Sequence, residues 1–284
     1  GIDGYLIKPF SYEDFVTQLI QMARRASAPD DVTPLLEQGE EALEAGDLAK
    51  AEENFLKARV YRPNSARALT GIASIEMVKK QFDIALRQLQ EAVAYNANYI
   101  PAYRKLLEIF EHKGDNGGMI RTATIVHAMS PDNPKYTLIL AKCYLELNNL
   151  EGSEEFYRKT IRLSPKIADA HKGLGNICML RKDYERARKH YKKALDIDKD
   201  DISTLNSLGL AYVRQGHLDK GIERYRVALS LNPQDERVHF NLGFAYEKKE
   251  LIPKAIEHYQ LALQNNPRYE KAMRRLERLR KMAS

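Results

Sequence analysis

Val238–Pro267 reads VHFNLGFAYEKKELIPKAIEHYQLALQNNP, and the fold is decided by what recurs when this stretch is moved along the chain in steps of 34 residues. Its landmarks are Leu242-Gly243, Tyr246, Ala255, Tyr259, Ala262 and Pro267. One step back stand Leu208-Gly209, Tyr212, Gly221, Tyr225, Ala228 and Pro233. Two steps back come Leu174-Gly175, Cys178, Ala187, Tyr191 and Ala194, with Lys199 in the proline position. Further back are Leu140-Ala141, Tyr144, Ser153, Tyr157, Thr160 and Pro165; then Leu106, Phe110, Met119, Ala123 and Pro131; then Ile72-Ala73, Ala85, Leu89 and Ala92; and last Gly39, Ala42, Gly46, Ala51, Phe55, Ala58 and Pro63. The copies begin at Val32, Ala66, Ile100, Pro134, Ala168, Ile202 and Glu236, and the seventh ends at Tyr269 without an insertion anywhere. A fixed period of this length is the mark of a repeat architecture.

The pattern has a direct physical reading. Leu242, Gly243 and Tyr246 lie three and four apart, on one face of a first helix. Ala255, Tyr259 and Ala262 do the same on a second. The small residues let two backbones approach and the large ones fill the space beside them. A short turn joins the helices, marked by Gly46, Gly114 or Gly216. Proline near the end of a copy stops its second helix, because the residue before proline avoids the α region. One copy cannot bury its own apolar face, so neighbours must stack. The third copy departs most: Gly114, Gly117 and Gly118 fall where its second helix should begin, which predicts a frayed turn or a hinge.

These residues resemble the tetratricopeptide repeat family over 32–269. The resemblance implies an all-α fold, a right-handed superhelical solenoid of seven tandem helix-turn-helix repeats. Residues 28–31 read as a linker. Glu270–Ser284 carries Ala272, Met273, Leu276 and Leu279 on one face and charge on the other, which predicts a capping helix. The family holds a partner protein or peptide in a groove lined by first helices. By that resemblance the groove residues include Arg104 and Lys142 in a basic patch, Glu37, Glu40 and Glu44 in an acidic one, and Phe240 and Phe244 as an apolar pair packed by the capping helix or open to a peptide. Some members clamp a peptide's C-terminal carboxylate across three repeats. Lys172, Asn176 and Arg237 match that pattern; Ser207 stands at the middle position with Asn206 one place off, and Asn241 replaces the second basic residue.

Residues 1–27, GIDGYLIKPFSYEDFVTQLIQMARRAS, lie outside the repeat. A short apolar run ends at Lys8-Pro9-Phe10, and Ser11 with Asp14 opens a helix in a near capping box. This stretch resembles the C-terminal end of a response-regulator receiver domain. The resemblance gives Lys8 a phosphoryl contact, Pro9 a preceding peptide bond that is often cis, and Tyr5 a part in switching. The family's phosphoacceptor Asp and acidic pair would lie upstream of Gly1, so Gly1 is expected to be a truncation. Tyr5–Lys8 is also an edge through which two chains could pair.

Composition narrows the function. Of 284 residues, 44% are hydrophobic and 30% charged, the balance of a water-facing protein. No apolar run nears the ~20 residues that span a bilayer. No charged-then-apolar leader follows Gly1, and Cys143 and Cys178 form no metal or disulfide pattern, so a cytoplasmic location is expected. The seven histidines are scattered and no nucleotide, zinc-protease or nucleophile-elbow motif occurs. Neither catalysis nor a cofactor nor a metal is expected. The net charge of +6 favours an acidic partner over a membrane, and nucleic acid is not expected. The expected role is the output or adaptor module of a two-component response regulator, binding a partner protein or peptide. The alternative is a free-standing assembly scaffold or chaperone-like adaptor.

Overall fold

Each repeat becomes two antiparallel helices because its turn is built the same way every time. The computed structural model describes residues 31–283. The first helices are α1 (Thr33–Glu44), α3 (Ala66–Val78), α5 (Ile100–Lys113), α7 (Pro134–Glu146), α9 (Ala168–Leu180), α11 (Ile202–Arg214) and α13 (Glu236–Lys248). Their partners are α2 (Leu48–Tyr61), α4 (Phe82–Tyr95), α6 (Asn116–Met129), α8 (Leu150–Leu163), α10 (Tyr184–Ile197), α12 (Leu218–Leu231) and α14 (Ile252–Asn265). Helix α15 (Glu270–Ala283) follows the last pair. No strand occurs among the described residues.

At the fifteenth position of every repeat the backbone turns left-handed: Gly46, Lys80, Gly114, Asn148, Lys182, Gly216 and Glu250 have φ between 57° and 84°. The next residue's N–H then reaches back five residues to a carbonyl of the first helix, from Asp47 to Ala42 through to Leu251 to Tyr246. This closes the orphan carbonyls of the helix end. The same residue starts the second helix. Asp47, Asn149 and Asp183 cap it with their side chains, and Asp115 Oδ1 accepts from Gly118 N at 2.9 Å. Gln81, His217 and Leu251 do not.

The chain groups into two compact units, one ending at Met129 and the other beginning at Ser130. In the first unit the Phe55 ring lies in a slot with glycine on both sides. A Cβ at Gly39 would come within 2.8 Å of it and one at Gly71 within 2.4 Å. The second unit repeats the device. A Cβ at Gly173 would meet Tyr157 at 2.2 Å, and one at Gly175 or Gly209 would meet Tyr191 or Tyr225 at 2.5 Å. The aromatic of one repeat is thus gripped by its own first helix, by the next one, or by both.

The third repeat inverts this arrangement. Leu107 occupies the position held elsewhere by glycine or alanine, and Ala123 the position held elsewhere by an aromatic or leucine; both are buried. The volumes are exchanged and the pair still closes. The glycines of this repeat are also not a frayed turn. Gly114 supplies the left-handed cap, Asn116–Met129 is helical, and a Cβ at Gly118 would lie 2.6 Å from the Phe110 ring. Gly118 is a close-packing residue, a role hidden from a reading based on helix propensity. No described helix is long and apolar enough to cross a membrane.

Candidate functional site

Within the second unit the first helices α7, α9, α11 and α13 touch one another in turn, and each also packs against its second helix. The first helices therefore form the inner row. Their apolar residues are spent on the pair interface, so polar side chains remain on the face between neighbours.

Lys142, Asp169, Lys172 and Asp201 form a chain of alternating charge running from α7 through α9 to the N-cap of α11. Lys142 Nζ lies 2.6 Å from Asp169, while Lys172 Nζ lies 3.3 Å from Asp169 and 3.1 Å from Asp201. Burial opposes ionisation of both aspartates, yet each is held below the ordinary carboxylate range. The Lys142 and Lys172 ammoniums do this at Asp169; the Thr204 hydroxyl and Lys172 do it at Asp201. Burial likewise opposes charge on Lys172, and the Asp201 and Asp169 partners outweigh it and raise its pKa. The lysine expected to meet a peptide carboxylate is thus already matched by two internal ones.

The expected amides are also engaged. Asn176 Oδ1 accepts from the Tyr191 hydroxyl at 2.8 Å, and Asn241 Nδ2 donates to Asn206 Oδ1 at 2.8 Å. Asn206 and Asn241 are therefore brought together, although Asn206 stands one place off the family's clamp position and Asn241 stands where the family has a basic residue. Ser207 turns back onto its helix and donates to the Ser203 carbonyl. Arg237 is exposed on α13. Arg104 is exposed on α5, in the first unit, where Glu40 pairs with Arg67 at 2.6 Å. Tyr5, Lys8 and Pro9 lie outside the described residues.

Phe240 and Phe244 are half-buried on α13. The Phe240 ring meets Tyr259 at 5.6 Å and Tyr269 at 5.2 Å. Phe244 is surrounded by cations: Arg275 at 5.2 Å, Arg214 at 5.7 Å and Lys248 at 5.8 Å from the ring centre. The charged face of the expected capping helix also keeps the repeat register: Lys271, Arg274, Arg275 and Arg278 stand 34 residues after Arg237, Phe240, Asn241 and Phe244. Helix α15 continues the inner row, and Glu277 and Arg280 replace the Gly243 and Tyr246 that would receive a further second helix.

Fold and site together define a helical-repeat protein with a polar inner face and no cluster of three or more metal-ligating side chains among the described residues. Residues 36–99 and 119–166 match a tetratricopeptide repeat model, 175–216 and 211–250 match a TPR repeat model, and 236–269 match a further tetratricopeptide repeat model. The chain belongs to the tetratricopeptide repeat family. It is 25% identical over 195 residues to human protein O-mannosyl-transferase TMTC1, covering 66% of this chain and 21% of that protein. It is 34% identical over 71 residues to the Arabidopsis thaliana Hsp70-Hsp90 organizing protein 3, covering 25% of this chain and 12% of that one. The chain thus spans at most about a fifth of these relatives. The crystal structure of the APC/C hetero-tetramer Cut9-Hcn1 superposes with a TM-score of 0.66 at 18% identity, over 96% of this chain and 50% of that one, which is a likeness of fold.

Proposed function

We propose that the chain is a protein-interaction module that holds a partner peptide along the inner face of the second unit. The observation that carries this reading is the row of first helices whose facing side chains, Lys142, Lys172, Asn176, Asn206, Arg237 and Asn241, are polar while the apolar residues close the helix pairs. A peptide lying there meets amides, the Arg237 guanidinium, which has no carboxylate partner among the described residues, and lysines whose internal partners a peptide carboxylate can replace. Calorimetry with a peptide ending in an acidic residue and a free carboxylate tests this. Lys172→Ala combined with Arg237→Ala should weaken it sharply, and unchanged affinity would discard the site.

The finer reading is that this binding is the output of a response regulator in the cytoplasm. It rests on the resemblance of residues 1–27, with Tyr5, Lys8 and Pro9 at the switch positions. Coding sequence upstream with an acidic pair and a strand-terminal Asp would support it. A phosphodonor that leaves the full-length protein's partner affinity unchanged would remove it. The similarity to an Hsp70-Hsp90 organizing protein favours the other reading, a scaffold that brings proteins together without a phosphorelay.

A further inference from the structure

The two units differ in charge. Residues 130–284 hold 30 Lys and Arg against 21 Asp and Glu, a net of +9, whereas residues 31–129 hold 12 against 14, a net of −2. The excess concentrates where α13 and α15 face each other. There Phe240, Lys271, Arg274, Arg275 and Arg278 line a cleft of about 360 Å³. Two carboxylates stand against these four cations. Glu247 is saturated: one oxygen accepts from Arg275 at 3.0 Å and from Arg278, and the other accepts from the Tyr259 hydroxyl at 2.7 Å. Glu270 is held by Arg274 at 2.7 Å. Lys271 is exposed, with no carboxylate partner among the described residues. The cleft is therefore left about two positive charges in excess, beside a half-buried aromatic ring.

We propose that this cleft is a subsite for an acidic peptide segment carrying one bulky apolar side chain. The segment's carboxylates are received by Lys271, Arg274 and the exposed edge of Arg278, and its apolar side chain rests on Phe240. The proposal rests on the peptide-binding reading above and adds the chemistry of the partner at one end of the row. Charge complementarity selects the acidic segment. The phenyl ring selects an apolar neighbour, because carboxylates alone gain nothing from it. A nucleic acid fits less well. Its phosphates would run past the carboxylates of Glu247 and Glu270.

The test is fluorescence anisotropy with the full chain and four labelled probes. These are a peptide of Glu and Asp residues around one Phe, the same peptide with Ala for Phe, the same peptide with Gln and Asn for the acids, and a short single-stranded oligothymidylate. The acidic Phe peptide should bind best. K271E combined with R274E should weaken it roughly tenfold or more, by removing two charge contacts and adding repulsion. Both residues are exposed and lie outside the packed core, so an unchanged circular-dichroism melt confirms the fold; K271Q with R274Q is the milder second variant. Phe240→Leu should reduce the preference for the Phe over the Ala peptide. Equal binding of the Gln/Asn peptide, indifference to K271E/R274E, or tighter binding of the oligonucleotide would each overturn the proposal. If a peptide with a free acidic terminus still requires Lys172 and Arg237 but ignores K271E/R274E, the inner-face reading stands and the cleft proposal falls.

Discussion

Replacing Lys80, Lys182 and Glu250 by glycine should stabilise this protein. All three have φ near +60°, and each stands at the repeat position that is glycine in three other repeats and asparagine in one. A side chain in the left-handed region crowds Cβ against the following carbonyl, at a cost of roughly 1–2 kcal/mol per residue. Glycine removes that cost but gives back about 0.5–1 kcal/mol through the greater freedom of the unfolded chain. The net is about 0.5–1 kcal/mol per site. Nothing else is lost, because the three residues are exposed and only their backbones take part in the turn. The sites sit in three different repeats, so their effects should add to about 2 kcal/mol in the triple variant. The reverse change has an equally clear expectation. A Cβ at Gly216 meets nothing within 4 Å, so Gly216→Ala should cost about 1 kcal/mol of conformational strain alone. Urea unfolding followed by circular dichroism at 222 nm reads both. A triple variant no more stable than the parent, or a harmless Gly216→Ala, would show that the left-handed turn is not where the energy lies.

Further outcomes follow from the buried polar groups and the turns. The Tyr225 hydroxyl is buried without a partner among the described residues, because Leu210 and Val213 stand where Asn176 and Glu247 serve Tyr191 and Tyr259. Tyr225→Phe should therefore be neutral or stabilising in denaturant titration, whereas Tyr191→Phe should cost about 1 kcal/mol. His171, His190 and His258 are pushed below the ordinary imidazole range, chiefly by burial. The unfolded chain then binds more protons below about pH 6.5, so the contribution of these groups is complete above that pH and is lost as the pH falls towards the folded values. Thermal melts should drop from pH 7 to pH 5, and replacing His190 and His258 by uncharged residues should flatten that slope. Leu251 begins α14 without a side-chain cap, so Leu251→Asp should add roughly 0.5–1 kcal/mol in the same urea assay. Gly173→Ala drives a methyl into the Tyr157 ring and should lower stability by about 1–3 kcal/mol.

The histidine pair at the last repeat shows how the neutral state is arranged. His239 Nε2 lies 2.9 Å from the Pro233 carbonyl and must carry the proton there, since a carbonyl only accepts. In the neutral ring Nδ1 is then the acceptor, and it accepts a hydrogen bond from His258 Nδ1–H at 3.2 Å. His258 in turn stacks on Tyr246 with their planes 8° apart. Burial of the His258 ring opposes its charging, which is why acid should be felt at this end of the second unit.

The repeat itself was legible because its causes are local. Leu242, Tyr246, Ala255 and Tyr259 declare two helices and their facing sides, and Pro267 declares where the second stops. The left-handed turn was legible where it is glycine, at Gly46, Gly114 and Gly216, and invisible at Lys80, Lys182 and Glu250, where packing imposes a conformation that the residue does not favour. Gly118 was misread for the related reason that propensity counts the cost of glycine in a helix but not the Phe110 ring it admits. The site was harder still. Lys172, Asn176, Arg237 and Phe240 were expected on an inner face through the family resemblance carried along the register, but periodicity is blind to charge partners. Asp169 pairs with Lys142, Asp201 with Lys172, and Glu247 with Arg275 and Arg278, each across 27 to 31 residues of chain. The sequence by itself determined the helix pairs, their period and their buried faces, since these follow from spacing within one repeat. Only the tertiary structure decided which cations remain unpaired, because that depends on angstrom distances between side chains that stacking alone brings together.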